Sequence, residues 1–156
     1  MKSFLVLTIL LSSALAGPAV ACFGPKLYLG VPEGTREAAV AAVAILYIQE
    51  KTGVETIQVS VPAGRGVAGV LEESLDMILA PSPVADLPTL LKVPGGPFLL
   101  SGRRPLDDLQ FTTVAPALQN LDHLLTTEFI ERLMALVEVG TPAAAARQLM
   151  MELRWI

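Results

Sequence analysis

The apolar pattern between Lys26 and Leu79 switches period four times, and this constrains the fold more than any other feature of the chain. Lys26-Leu27-Tyr28-Leu29-Gly30-Val31 is a short apolar run that suits a buried strand. Pro32-Glu33-Gly34 breaks it, and Thr35 can cap a helix over Arg36–Lys51 that Gly53 closes. This helix is apolar over most of its circumference (Val40, Val43, Ile45, Leu46, Ile48), the pattern of a well-buried helix. Thr56–Val61 then alternates, with Ile57, Val59 and Val61 on one face. Pro62–Gly66 turns, Val67–Ser74 reads as a short helix, and Asp76–Leu79 as a third strand. Strand, helix, strand, helix, strand predicts an α/β lobe with right-handed crossovers. The expected architecture is three-layered, a small and mainly parallel sheet flanked by helices.

From Pro81 to Pro105 the character changes. Six prolines and the pair Gly95-Gly96 leave room only for short extended pieces such as Leu90–Val93 and Phe98–Leu100. The last third is helical again. Pro116 is tolerated in the first turn of a helix over Ala117–Leu125. Thr126 or Thr127 caps a helix running to about Val139, and Thr141-Pro142 opens a final one from Ala143 to about Arg154.

The N-terminus predicts export. Met1-Lys2 gives a positive start, Phe4–Ala16 an uncharged apolar run, and Ala19-Val20-Ala21 the small-x-small pattern that signal peptidase requires. Residues 1–21 therefore read as a signal peptide and 22–25 as a tether. The apolar run is shorter than the roughly 20 residues a bilayer span needs. Cys22, the only cysteine, cannot form an intrachain disulfide. Ala19-Val20-Ala21-Cys22 resembles a bacterial lipobox with Cys22 as the lipid attachment point, although Ala19 stands where leucine is usual. Ordinary cleavage leaving a free thiol is the other reading. Both place the protein outside the cytoplasm, in the periplasm or tethered to a membrane by lipid alone. Losing Lys2 with the leader leaves ten basic residues against fifteen acidic ones, and no basic cluster stands out, so nucleic acid is an unsuitable partner.

Several phrases in this order resemble the glycine betaine/choline-type substrate-binding proteins of ABC importers. Lys26–Val31, Thr35-Arg36-Glu37 and Ala44-Ile-Leu-Tyr-Ile-Gln-Glu-Lys-Thr-Gly53 are similar to the opening strand and long helix of that family. Gly69–Asp76 is similar to its second helix and the Asp-led strand that follows. Leu118–Leu121, Leu124–Glu128, Leu133–Gly140 and Pro142–Leu153 are similar to its closing helices. The resemblance implies the type 2 periplasmic binding protein fold, in which a ligand lies between two lobes. Here the insertion point of the second lobe falls in the proline-rich bridge at 80–105. The chain 26–156 thus reads as lobe one alone, without the hinge that closes over a solute.

Ligands of α/β lobes sit beyond the carboxyl ends of parallel strands, against helix N-termini. Those positions are Glu33, Gly34 and Thr35 after the first strand, Gly64, Arg65 and Gly66 after the second, and Ser82 after the third. Gly64 and Gly66 would let a carboxylate approach the backbone and Arg65 could pair with it. The same glycines also suit ordinary βα turns. A quaternary ammonium needs several aromatic faces around it. Phe23, Tyr28, Tyr47, Phe98, Phe111, Phe129 and Trp155 are scattered over different elements, and Tyr28 and Tyr47 read as core.

His123 is the only histidine and lies by pattern on a solvated helix face, with no partner to share a metal. Glu72-Glu73 and Asp107-Asp108 are adjacent pairs that do not converge on one substrate, and no nucleophile elbow or phosphate loop is present. The expectation is a non-catalytic exported module without cofactor or metal. It would bind a small solute weakly, alone or beside a permease or other envelope protein. The competing expectation is a protein-interaction module, in its simplest form a homodimer.

Overall fold

A computed structural model describes residues 24–156; the expected signal peptide, Cys22 and Phe23 lie outside the described residues. Strand β1 (Lys26–Pro32) leads to helix α1 (Thr35–Thr52), β2 (Glu55–Val61), α2 (Gly66–Leu71) and β3 (Met77–Ala80). Strands β4 (Thr89–Lys92) and β5 (Phe98–Ser101) follow. The chain then forms α3 (Arg104–Asp107), a 3₁₀ turn (Leu109–Phe111), α4 (Val114–Leu124), α5 (Thr127–Val137) and α6 (Pro142–Glu152).

The fold is α/β. Its five-stranded sheet has the order β2-β1-β3-β5-β4, parallel for β2, β1 and β3 and antiparallel for the β5–β4 edge. The antiparallel half comes from the proline-rich stretch, where the sequence promised only isolated extended pieces. They zip together because Pro94-Gly95-Gly96 forms a tight turn, with Gly95 and Gly96 at φ of 74° and 78° and the Gly96 N–H donating to the Val93 carbonyl at 2.8 Å. Arg36 of α1 secures this turn. Its Nε donates to the Gly96 carbonyl at 2.8 Å and its Nη2 to the Pro94 carbonyl at 2.5 Å.

The two faces of the sheet are covered unequally. Leu27, Leu29 and Val31 of β1, with Met77, Leu79, Leu91 and Leu99, turn toward α1, α4, α5 and α6 and form the larger core. Each such leucine removed from water contributes about 1.5–3 kcal/mol before the entropy of ordering is subtracted. The other face packs Val61, Ile78, Ala80 and Leu100 against Val70 of α2, Leu75 and Leu87, and among the described residues no longer helix belongs to this cluster. Tyr28 belongs to this thin side. Its place in an apolar strand run predicts a core position, yet it is 41% exposed, because β1 turns its alternate residues inward and α2 is too short to cover the rest. Tyr47, on the inner face of α1, is buried as expected.

Helix ends follow local chemistry. Gly53 stops α1 in a left-handed conformation, its N–H donating to the Gln49 carbonyl. Thr126 and Thr141 cap α5 and α6, their Oγ1 atoms accepting from the N–H groups of Phe129 and Ala144. At α1 the capping position is Gly34, and Thr35 is already the first helical residue. Trp155 folds back and stacks on Phe129 with ring centroids 4.6 Å apart. No helix among the described residues is long and apolar enough to cross a membrane.

Candidate functional site

Because β1, β2 and β3 run parallel, their carboxyl ends share one pole, and the seven residues singled out from the sequence lie there. Glu33, Gly34, Thr35, Gly64, Arg65 and Ser82 are exposed. Gly66 is buried, and its missing side chain serves to seat α2 on Ile78 of β3, so it offers no backbone to a ligand. At the start of α1 the Glu37 carboxylate lies over Gly34, close beside Glu33, so this helix end already faces negative charge. A ligand carboxylate would meet repulsion there. None of the depressions described below is lined by any of the seven.

A groove lies at the opposite pole, where β3 begins and β5 ends. Asp76, immediately before β3, is its fixed point and is 5% exposed. One carboxylate oxygen accepts the Tyr28 N–H at 2.7 Å, and Nη1 of Arg104 donates to both oxygens at 3.1 Å. The Asp76 backbone bonds to Tyr28 on one side and Gly102 on the other, tying β1, β3 and the end of β5 together. The Arg104 guanidinium also sits 4.9 Å above the Phe111 ring. Such a paired and hydrogen-bonded charge is tolerated where a lone one would be expelled.

Two adjoining depressions flank this ion pair, of about 450 Å³ and 320 Å³. They share Val70, Glu73, Gly102, Arg103 and Asp107. The second continues over an apolar wall of Leu71, Leu87 and Leu106 to Asp86. Together they gather five carboxylates (Glu73, Asp76, Asp86, Asp107, Asp108) and two guanidiniums (Arg103, Arg104). Asp76 is matched by Arg104, Asp107 is 3.5 Å from Arg103, and Asp108 accepts from the Gln110 N–H. Glu73 and Asp86 have no ion pair or side-chain hydrogen bond among the described residues. Glu73 is also held at φ of 58°, where the last turn of α2 folds back through Ser74 and Leu75 onto the Gly69 carbonyl.

By sequence, Glu72-Glu73 and Asp107-Asp108 are adjacent pairs that are not expected to converge. The groove brings one member of the first pair and both of the second to a single surface, across 33 residues of intervening chain closed by the β4–β5 return. His123 is exposed on α4 as expected, beside Lys92 and Asp122. Among the described residues no group of three His, Cys, Asp or Glu side chains is placed to hold a metal ion. Comparison with protein-family models, with curated proteins and with solved structures finds no match to this chain.

Proposed function

We propose that this chain is an exported, non-catalytic binding lobe of the solute-binding-protein type, tethered through Cys22, which takes a small cationic solute in the groove beside Asp76 and presents it to an ABC permease. The observation that carries the reading is that Glu73 and Asp86, two carboxylates in no ion pair among the described residues, line one depression with the apolar side chains of Leu71, Leu87 and Leu106. A quaternary ammonium such as glycine betaine or choline suits that surface, its charge between the carboxylates and its methyl groups on Leu71, Leu87 and Leu106. The groove is open on one side, so the ligand keeps much of its hydration and affinity is modest. Arg103, exposed and only weakly engaged with Asp107, is placed to meet a solute carboxylate.

Titration calorimetry with glycine betaine, choline, carnitine and amino acids tests this. Heat is expected with the cationic and zwitterionic methylammonium compounds and is lost in Glu73→Gln combined with Asp86→Asn. Absence of heat with all of them removes the reading. Mass spectrometry of the mature N-terminus separately decides whether Cys22 carries lipid.

A second reading, a protein-interaction module, is favoured by the exposure of Leu71 (58%) and Leu106 (36%) in the wall of the same groove. If it holds, an envelope partner that co-purifies with the chain is lost with Leu71→Asp or Leu106→Asp, while no small solute produces heat.

A further inference from the structure

We infer that β2 is the seam of a symmetric dimer, in which β2 of a second copy pairs antiparallel with it and joins the two sheets into one of ten strands. The two sheet edges are treated very differently by this sequence. On the β4 side the strand is four residues long, its register is broken between Thr89 and Leu91, and prolines 88 and 94 flank it. The Lys92 N–H is taken by the Asp122 carboxylate at 2.5 Å, and α4 packs against the strand. These are the devices by which an edge is closed to further pairing.

Strand β2 is built differently, although Pro62 follows it and α1 packs over one of its faces. It is seven residues long, in unbroken register with β1 from Lys26↔Glu55 to Pro32↔Val61, and contains neither proline nor lysine. No other segment among the described residues hydrogen-bonds to its outer side. An outward row of backbone donors and acceptors on so regular a strand is a template for another strand.

The side-chain pattern selects a second copy as the occupant. A two-fold axis through Gln58 sets Ile57 opposite the partner's Val59 and Thr56 opposite the partner's Ser60, with Glu55 meeting the partner's Val61. Ile57 and Val59 thereby adjoin across the seam on the α2 face, Thr56, Gln58 and Ser60 meet on the other, and the Glu55–Val61 pairs fall at its two ends. The only charge in the strand, Glu55, is already paired with Lys26 at 3.0 Å, and the two copies of it lie at opposite ends of the seam, roughly 20 Å apart at 3.4 Å per residue. No step of this argument uses the groove, so it stands or falls independently of the solute.

Sedimentation velocity of the purified exported protein over a concentration series provides the test. The wild type is expected to reach twice the mass of one chain. Gln58 is exposed, so Gln58→Lys and Gln58→Glu should fold normally, and each places like charges face to face across the axis. Each alone should be monomeric, and a mixture of the two should recover the dimer. A wild type that stays monomeric at every concentration, or a Gln58→Lys variant that remains dimeric, overturns the inference. Hydrogen exchange on the unaltered chain gives a second readout, with the amides of β2 slowing as concentration rises. Exchange there that ignores concentration also counts against the seam.

Discussion

Ile78 occupies the space that a side chain at Gly66 would need, its Cδ1 2.2 Å and its Cγ1 2.6 Å from where the Cβ would stand. Gly30 flanks the same isoleucine, and a Cβ there would meet Cδ1 at 2.8 Å. The two glycines form a slot that lets α2 and β1 close on β3. Gly66→Ala is expected to destabilise by about 1–3 kcal/mol through overpacking. Ile78→Val alone should cost about 1 kcal/mol. The double variant should cost less than the two together, since Val lacks Cδ1, and urea denaturation of the four chains reads this coupling.

Asp76 gives a second test. Asp76→Ala removes the acceptor for the Tyr28 N–H and leaves Arg104 without its partner. Arg104 is nearly half exposed, so water recovers part of its loss, and the expected cost is about 2–3 kcal/mol. Asp76→Asn retains an oxygen for Tyr28 and should cost roughly half as much. Equal stabilities of the two variants would mean that the Tyr28 bond contributes nothing.

At Glu73, stability and the proposed solute binding should pull in opposite directions. Its backbone is left-handed, a conformation in which glycine carries no side-chain penalty. Glu73→Gly should raise stability by about 0.5–1 kcal/mol, while weakening the heat of binding of a methylammonium solute. Denaturant melts and calorimetry on the same preparation measure both. A variant that gains stability and binds the solute undiminished would remove Glu73 from the site.

Burial raises the pKa of the Tyr47 phenol above its ordinary value. The folded state therefore holds the phenolic proton more tightly than the unfolded chain. The contribution is complete below the unfolded value of roughly 10 and is lost as pH climbs through the raised folded value. Melting temperature should fall more steeply on the alkaline side in the wild type than in Tyr47→Phe.

Thr126→Ala and Thr141→Ala each remove one hydroxyl acceptor from the first turn of α5 or α6. Each should cost about 1 kcal/mol in thermal or urea unfolding. The sites lie on different helix starts, so the losses should add.

What the sequence disclosed was local. The Thr141-Pro142 start, the Gly53 stop and the alternation of Ile57, Val59 and Val61 depend on neighbours within a turn or a strand, and all three appear in the structure. The β4–β5 hairpin was hidden because prolines dominate its surroundings, while the register that makes it a sheet edge is set by a partner in β3. The groove was harder still to read. Asp76 and Arg104 stand 28 residues apart, and nothing near either announces the other. Only the antiparallel return of β5 brings them together, and that return was the part of the topology the residue pattern did not specify. Tyr28 was misjudged for the same reason, since its exposure depends on how short α2 is.

Arg36 carries a consequence for the rigidity of this lobe. One guanidinium fastens the opening of α1 to the tip of the hairpin through two carbonyls. Parting them would forfeit two charge-assisted bonds at once, so the hairpin tip cannot lift away without the helix behind it. The outer half of the sheet is anchored from the helical side as well as through β3, and it travels with the larger core.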